Sequence, residues 1–292
     1  PYLIEGPSVL VTPQKKNISK LPIMTMGSNP VDGKNLIVTK KEYESIPDNK
    51  NFQKYFKKFI SGNEFTNSDY RYCLWISNEE VKDAMNSKFI SNRVNSCKKY
   101  RENSSSRDAK KSSSSPHKFC YSTFKNEESI IIPKTSTSAR YYLPIGFLNK
   151  DTVAADGAMV IYNPEPYLFS ILSSRLHTLW LSTCGGRHAS GFRYSVKLVY
   201  NTFPVPEIDQ KNKKILQKFT FDILDEREKY SDKNIDFLYN RETMPSSLKK
   251  IHINLDEFYE KLYDINYQSD ENFKINKLLN FYQKNSSNVN LI

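Results

Sequence analysis

The fold is decided by the stretch 163–206, which reads NPEPYLFSILSSRLHTLW at 163–180, LSTCGGRHASG at 181–191 and FRYSVKLVYNTFPVP at 192–206. Its first part predicts one long helix, because apolar residues recur at helical spacing and Asn163 is a suitable N-cap. The residues of this apolar face are Leu168, Ile171, Leu172, Leu176, Leu179 and Trp180. Gly185 and Gly186 are expected to end the helix by supplying the positive φ of a C-cap.

Residues 192–200 alternate between apolar and polar side chains, which predicts a half-buried strand. The apolar set suits a core and consists of Phe192, Tyr194, Val196, Leu198 and Tyr200. The other face carries Arg193, Ser195 and Lys197, and Arg187 and His188 come just before it. We therefore expect a cationic row on a rigid element, suited to contacting the phosphates or base edges of a nucleic acid.

The composition is that of a basic globular protein. The 292 residues include 43 Lys and Arg against 32 Asp and Glu, a net charge of +11, and 13% are aromatic. This charge favours a polyanionic partner, nucleic acid first and an anionic membrane second. The alternative is a lysine-rich surface with no such partner. Because no apolar run reaches the roughly 18 residues of a membrane span, we expect no membrane segment.

Neither the cysteines nor the histidines form a catalytic or metal-binding pattern. The four cysteines, at 73, 97, 120 and 184, contain no C-x-x-C pair, which argues against a zinc site or a disulfide framework and fits a reducing cytoplasm. The four histidines lack metal-ligand spacing, and no serine lies in a G-x-S-x-G motif. We expect a binding module without catalytic residues. Since the sequence begins at Pro1 without a methionine, we also expect it to be part of a longer chain.

Residues 93–118 are rich in serine and in basic side chains, RVNSCKKYRENSSSRDAKKSSSSPHK. This composition predicts a flexible loop that becomes ordered on the backbone of DNA or RNA, where each neutralised phosphate steepens the salt dependence of binding. The residues expected to contact that backbone are Arg93, Lys98, Lys99 and Arg101. The alternative is a solvated surface insertion without a ligand.

Shorter patterns predict the remaining elements. Strands are expected at 36–38, 70–76 and 130–132, and a second alternating run places Ser138, Arg140 and Tyr142 on one side. Thr39 and Glu42 form a capping box that starts a short helix, and 51–65 is expected to be helical with its aromatic residues on one face. After residue 207, the helical spacing of apolar residues predicts three further helices.

Several blocks of the sequence resemble a known family in the same order. They are MTMGSNPVDGKNLI at 24–37, YRYCLW at 70–75, YLPIGFL at 142–148, the region 167–206 with its CGGR, FRYS and VYNTFPVP, and the segment 223–264. In these blocks the chain resembles MmeI-like DNA methyltransferases, the type IIL/IIG restriction–modification enzymes, in the part that contains their target recognition domain. The resemblance implies that this chain chooses the DNA sequence on which the enzyme acts.

The resemblance also implies which residues contact DNA. Base-reading positions of the family cluster just after the CGxR turn and near the RYxPIGF block, and by position they are Arg140, Ala189, Gly191 and Arg193. An arginine can donate two hydrogen bonds to guanine O6 and N7, whereas small residues read a base only by shape or leave it unspecified. Contacts to the DNA backbone are expected from Arg187, His188, Ser195 and Lys197, in addition to the segment 93–118.

The chemistry of the parent enzyme follows from the same resemblance. An upstream domain would bind S-adenosylmethionine and methylate N6 of an adenine that is flipped out of the duplex. Some members also carry a nuclease. We expect this chain itself to hold no catalytic residue, no cofactor and no metal, and its parent to be bacterial and cytoplasmic.

The expected fold class is α+β, with a mixed or antiparallel sheet and packed helices. A connector at 1–20 precedes a DNA target recognition domain at 21–207, and a helical C-terminal subdomain follows at 208–292. The expected partners are double-stranded DNA and the upstream methyltransferase domain. Two alternatives remain, an RNA-binding module and a protein-interaction module whose basic charge is incidental. The strands lack the paired aromatic residues of an RNA-recognition sheet, which argues against the first.

Overall fold

The computed structural model describes residues 9–46, 49–188 and 191–289. The helices are α1 (Lys40–Glu44), α2 (Asn49–Phe52), α3 (Gly62–Thr66), α4 (Val81–Ala84), α5 (Lys88–Glu102), α6 (Arg107–Ser112), α7 (Tyr167–Ser173), α8 (Arg175–Cys184), α9 (Gln210–Glu228), α10 (Ile235–Tyr239), α11 (Ser246–Lys261) and α12 (Glu271–Val289). The strands are β1 (Thr25–Met26), β2 (Ile37–Val38), β3 (Phe56–Ile60), β4 (Arg71–Leu74), β5 (Ser129–Pro133), β6 (Thr135–Thr137), β7 (Gly146–Leu148), β8 (Thr152–Ala154), β9 (Ala158–Tyr162), β10 (Gly186–His188) and β11 (Gly191–Arg193). The predicted α+β class is confirmed.

The chain forms two compact units, each assembled from separate parts of the sequence. Unit 1 comprises Pro1–Thr25, Glu128–Phe147 and Met159–Ile292, and unit 2 comprises Met26–Glu127 and Leu148–Ala158. Each unit has a hydrophobic core of its own. The domain boundaries expected at residues 21 and 208 both fall inside unit 1, and they remain predictions.

Two sheets lie largely in unit 1. The strands of the first are adjacent in the order β1-β9-β5-β7, and β10, β11 and β6 form an antiparallel second sheet in that order. Every residue of β5 is buried, which is why its sequence, SIIIP, is a continuous apolar run and not an alternating one. The strand predicted at 130–132 is therefore confirmed.

The helix predicted from Asn163 is divided into α7 and α8, which meet at Ser174. The Ser174 hydroxyl accepts a hydrogen bond of 3.2 Å from the amide of His177, so this serine is the N-cap of α8. Asn163 is not an N-cap: its φ is 48°, and α7 begins only at Tyr167, after Pro166. The predicted apolar face is confirmed, because all six of its residues are buried in unit 1.

Gly185 follows the last residue of α8 in a conformation different from the predicted one. Its φ and ψ are −69° and 160°, so the backbone is extended and no positive φ is required. Glycine is needed here for space, because a Cβ atom would lie 2.5 Å from the carbonyl oxygen of Leu181.

The strand predicted at 192–200 continues only to Arg193. The hydroxyl of Ser195 accepts a 3.3 Å hydrogen bond from the amide of Leu198 and caps a single π-helical turn, Val196–Tyr200. Val199 and Tyr200 are adjacent and both fully buried, whereas a strand would place them on opposite faces. The strand predicted from the alternating pattern is therefore wrong beyond residue 193.

Three long helices follow residue 207, as predicted, and the short α10 lies between the first two. The apolar faces of α9, α11 and α12 complete the core of unit 1, where Leu216, Leu255 and Leu278 are fully buried. No helix in the described part of the chain is long and apolar enough to cross a membrane.

Unit 2 is built on a sheet with the strand order β2-β4-β3-β8, in which β3 is antiparallel to β4 and parallel to β8. The capping box of Thr39 and Glu42 and the strand at 70–76 are confirmed by α1 and β4. The helix predicted at 51–65 is wrong, because its centre is β3. Phe56 and Phe59 are both buried at a spacing of three residues, which imitates a helical pattern.

The segment 93–118 is not the predicted flexible loop. Most of it belongs to α5 and α6, and the side chains of Ser87 and Ser106 cap these two helices. Serine is favoured at helix N-caps and in turns as well as in flexible loops, and the serines of this segment include such cap and turn residues.

Candidate nucleic-acid interface

The sheet β10-β11-β6 holds two of the predicted DNA-contacting arginines. Arg193 lies opposite Thr135 of β6. Phe192, its neighbour in β11, lies opposite Arg187 of β10. Because directly opposed residues share a face and neighbours alternate, Arg193 and Arg187 lie on opposite faces of the sheet. They do not form the single predicted row.

Two of the predicted base-reading positions are arginines, and Arg193 is the more accessible of the two. It is exposed at the end of β11, and no described carboxylate forms an ion pair with it. Arg187 is also exposed, and its guanidinium lies 4.8 Å from the ring centroid of Phe192. This cation–π contact fixes the position of the charge without neutralising it.

Gly191 is held at its position by close packing. Its partner across the sheet is Thr137, and a Cβ atom at residue 191 would lie 2.1 Å from the carbonyl oxygen of Ser136. A larger side chain at Gly191 would therefore require β6 and β11 to separate. Ala189 lies outside the described residues, and only the backbone of His188, in β10, is described.

Ser195 and Lys197 belong to the π-helical turn and not to a strand. The Ser195 hydroxyl is engaged as a helix cap, whereas the Lys197 side chain is exposed. The carbonyl oxygen of Lys197 accepts a 2.8 Å hydrogen bond from the amide of Gln14, so the turn is tied to the start of the described chain.

Arg140 lies beyond the end of β6 and is largely buried. The strand predicted around it is absent, and a single antiparallel bridge joins it to Asn240. Its Nη2 donates a hydrogen bond to the carboxylate of Asp236, and the side chain is 10% exposed. Its Nε is buried without a hydrogen-bond partner. In this conformation the guanidinium is committed to Asp236.

Two neighbouring cavities open beside Arg140 in unit 1. The smaller, of about 180 Å³, is lined by Arg140, Ser136 and Phe192 among others, and the larger, of about 340 Å³, by Tyr141, Lys249 and Lys274 among others. Both are lined by Arg241 and by Arg175. The side chain of Arg175 donates to Glu271, and that of Lys274 lies 2.8 Å from Glu260.

Asp256 lines the larger cavity and is almost completely buried. It accepts hydrogen bonds of 2.8 Å from the Tyr142 hydroxyl and from the amide of Arg175. Burial raises the pKa of its carboxyl group from 3.8 to about 7, although both hydrogen bonds favour the charged form. His252 stacks on Tyr142 with ring centroids 4.3 Å apart, and burial lowers its pKa to about 3.

Arg101, expected to contact a phosphate, is 0% exposed in unit 2. Its five N–H groups donate to five backbone carbonyl oxygens, at 2.6–3.3 Å. The acceptors are Pro30, Val31, Ser112, Ser115 and Lys118. The guanidinium therefore holds two backbone segments together and is not available to DNA. The sequence contains a signal for this role, because Ile90, Val94, Cys97 and Arg101 follow the buried face of α5.

The other basic residues predicted in this segment divide into two kinds. Arg93 is 16% exposed and donates to the carbonyl oxygens of Lys34, Asn35 and Ile37 and to the carboxylate of Glu42. Lys98 and Lys99 are exposed on α5, and the Lys98 ammonium is 3.9 Å from the carboxylate of Glu102. Only these two lysines of the four predicted residues can reach a phosphate without a change of structure.

The site contains cations that no sequence pattern indicated. Arg241 and Lys249 both lie against Tyr141, with the Arg241 Cζ at 4.9 Å and the Lys249 Nζ at 4.4 Å from the ring centroid. They come from the loop after α10 and from α11, in a tail with many charged residues. The described residues contain no group of three or more His, Cys, Asp and Glu side chains that could hold a metal ion.

Comparison with known proteins agrees with the resemblance seen in the sequence. Residues 5–207 match the family "MmeI, target recognition domain", and residues 208–290 match "MmeI, C-terminal domain". DNA methyltransferase A of Bacillus subtilis (strain 168) is 37% identical over 286 residues, which are 97% of this chain and 32% of that protein. The chain thus spans about a third of the length of this curated relative.

A solved structure extends the comparison to three dimensions. The type IIL restriction–modification enzyme MmeI, solved in complex with DNA, is 34% identical and superposes with a TM-score of 0.94. The match covers 98% of this chain and 38% of the MmeI chain. The chain therefore belongs to the MmeI family, and it corresponds to the target recognition domain and the C-terminal domain of that family.

Proposed function

We propose that this chain recognises a specific sequence in double-stranded DNA for an S-adenosylmethionine-dependent methyltransferase of a restriction–modification system. The close likeness of its fold to an enzyme solved in complex with DNA supports this proposal. The surplus of basic residues supports it as well, since phosphate contacts dominate the affinity of proteins for DNA.

The observation that carries the proposal is the exposed guanidinium of Arg193 on the antiparallel sheet β10-β11-β6. A strand pair holds its backbone, so the side chain projects from a rigid element, as a base-reading residue requires. An arginine in the major groove can donate two hydrogen bonds to one guanine. Arg140 is the second proposed base reader, and it must exchange Asp236 for a base. Gly191 and Ala189 complete the proposed set of base-reading positions. Because their side chains are small, they recognise only the shape of a base or leave that base pair unspecified.

Contacts to the DNA backbone are assigned to residues whose charge is accessible. Arg187 and Lys197 of unit 1 are proposed to contact phosphates, and so are Lys98 and Lys99 of unit 2. These cations position the protein on DNA without reading its sequence. His188 remains a proposed contact to the DNA backbone because it follows Arg187 in β10. Ser195, Arg93 and Arg101 act mainly through the internal contacts described above.

The parent protein, in this proposal, transfers the methyl group of S-adenosylmethionine to adenine N6 in the cytoplasm of a bacterium. The upstream part of that protein supplies the cofactor site and the catalytic residues, and this chain supplies none. A nuclease in the parent is compatible with the proposal but not required by it.

Selection of duplexes from a randomised library, followed by sequencing of the bound fraction, tests the proposed function directly. An enriched motif of several base pairs is expected. Enrichment of single-stranded RNA in a parallel selection would favour an RNA-binding module instead. Absence of binding to either polymer at about 150 mM salt would favour a protein-interaction module, because a DNA-binding surface of this charge retains measurable affinity there.

A further inference from the structure

Arg241 and Lys249 form a pair of cations on one aromatic ring, that of Tyr141. The Arg241 Cζ and the Lys249 Nζ lie 4.9 and 4.4 Å from its centroid. The carbonyl oxygen of Tyr141 accepts a 3.1 Å hydrogen bond from Nη1 of Arg175, which fixes the residue that carries the ring. Both cations thus lie within 5 Å of one neutral ring and line the same cavity, where a bound anion would offset their charge.

The charges around the larger cavity leave these two cations without an acidic partner among the described residues. Of its four cationic residues, Arg175 pairs with Glu271, and Lys274 pairs with Glu260. The third carboxylate nearby, Asp256, is occupied by Tyr142 and by the amide of Arg175. Within the described part of the chain, no carboxylate forms an ion pair with Arg241 or Lys249. The cavity therefore carries surplus positive charge.

Backbone contacts place this pair of cations next to the proposed base reader Arg140. The amide of Arg241 donates a 2.8 Å hydrogen bond to the carbonyl oxygen of Ala139, and Asn240 bridges to Arg140 itself. The side chain of Arg140 is nine-tenths buried, its Nε has no hydrogen-bond partner, and it lines the smaller cavity together with Arg241. Arg241 thus lines both cavities, the smaller one together with Arg140 and the larger one together with Lys249.

We propose that Arg241 and Lys249 bind a phosphate of the DNA backbone beside Arg140. This inference rests on the proposed function, and it gives that function a contribution from the C-terminal domain, to which both residues belong. The phosphate sets the register of the duplex, so that one base edge comes within reach of Arg140. The C-terminal helices then contact DNA as well as complete the core of unit 1.

The test uses the 292-residue chain, a duplex with the sequence that it selects, and a scrambled duplex of equal length. Affinities are measured by fluorescence anisotropy at several salt concentrations for the wild type and for the double variant Arg241→Gln, Lys249→Gln. Loss of two phosphate contacts should weaken binding to both duplexes by a similar factor. It should also reduce the slope of log Kobs against log salt by about 2.

Matched variants separate this site from a general effect of charge or of folding. Lys214→Gln with Lys218→Gln removes two charges from exposed residues of α9, which line neither cavity, and should leave the slope unchanged. Arg241→Lys with Lys249→Arg keeps both charges and should retain the wild-type slope. If the Gln double variant lowers the melting temperature while its slope equals that of the wild type, the two residues are structural and the inference is wrong. If the wild type binds neither duplex, the proposed function fails and this inference fails with it.

Discussion

Arg140 and Asp236 form an ion pair that joins the two domains matched by the family, since Arg140 belongs to the target recognition domain and Asp236 to the C-terminal domain. The Asp236 side chain is 44% exposed, so water can solvate its carboxylate once the arginine leaves. The pair therefore keeps Arg140 in place before DNA arrives. When Arg140 contacts a guanine, the O6 and N7 acceptors of the base would take the place of the Asp236 carboxylate.

Substitution of Arg140 by alanine is expected to relax the selected motif at one base pair. The expected loss of discrimination is about 1–3 kcal/mol, the value of one bidentate contact to a base. Selection from a randomised duplex library measures it. Asp236→Asn, which removes the competing charge but keeps the arginine, should leave that base pair specified. An unchanged motif in the Arg140→Ala variant would exclude Arg140 as a base reader.

Arg193→Ala is expected to relax a different base pair of the motif, by a similar amount. Because Arg193 is exposed and forms no ion pair with a described residue, its removal should leave the melting temperature unchanged. Arg187→Ala serves as the control on the opposite face of the same sheet. It should weaken binding to all duplexes and leave the motif intact. If Arg187→Ala alters the motif and Arg193→Ala does not, the two assignments must be exchanged.

Replacement of Lys98 and Lys99 by glutamine is expected to weaken binding to every duplex and to reduce the salt slope by about 2. Both lysines are exposed on α5 and can reach a phosphate. The selected motif should not change, because phosphate contacts carry no sequence information. Lys41→Gln with Lys82→Gln removes the same charge from α1 and α4 of the same unit and provides the control. Equal slopes for both double variants would assign the effect to net charge alone.

Local patterns predicted the elements whose stability depends on nearby residues. The capping box at Thr39, the buried face from Leu168 to Trp180 and the three long C-terminal helices are examples. The predictions failed where distant contacts decide the conformation. Tyr194 follows β11 and points into the core, where its hydroxyl lies 3.0 Å from the buried ring of His177, and the chain then turns instead of extending. Periodicity over a few residues contains no information about such a partner.

The candidate site was predictable only in part for the same reason. Arg193 and Arg140 follow from the resemblance, and Lys98 and Lys99 follow from local charge. Arg241 could not be found, because its position depends on a backbone contact with Ala139, about a hundred residues earlier. Sequence also cannot distinguish an arginine that binds phosphate from one that binds five carbonyl groups, as Arg101 does.

Substitution of Arg101 by methionine is expected to destabilise unit 2 by roughly 3 kcal/mol, since buried carbonyl groups lose their donors. The two tryptophans allow the units to be followed separately, because Trp75 lies in unit 2 and Trp180 in unit 1. Urea unfolding of a Trp180→Phe background reports unit 2 through Trp75. The neighbouring exposed Lys99→Gln is the control and should have little effect. Full stability of Arg101→Met would contradict the structural role of this arginine.

Asp256 is expected to make the stability of unit 1 depend on pH. Its pKa is about 7 in the folded chain and 3.8 ordinarily, so between these values the folded state keeps a proton that the unfolded state releases. The stability that the protonated carboxyl provides is present below pH 3.8 and is lost as the pH rises to 7, by up to about 1.4 kcal/mol per pH unit. The Asp256→Asn variant has no titrating group at this position, so only the wild type loses this stability as the pH rises from 4 to 7. The free energy of unfolding of the variant minus that of the wild type should therefore increase over this range and stay constant above pH 7. Urea unfolding followed through Trp180, in a Trp75→Phe background, measures the difference. His177 and His252 are common to both proteins and cancel in it. A difference that is the same at pH 5 and pH 7 would mean that Asp256 is ionised throughout.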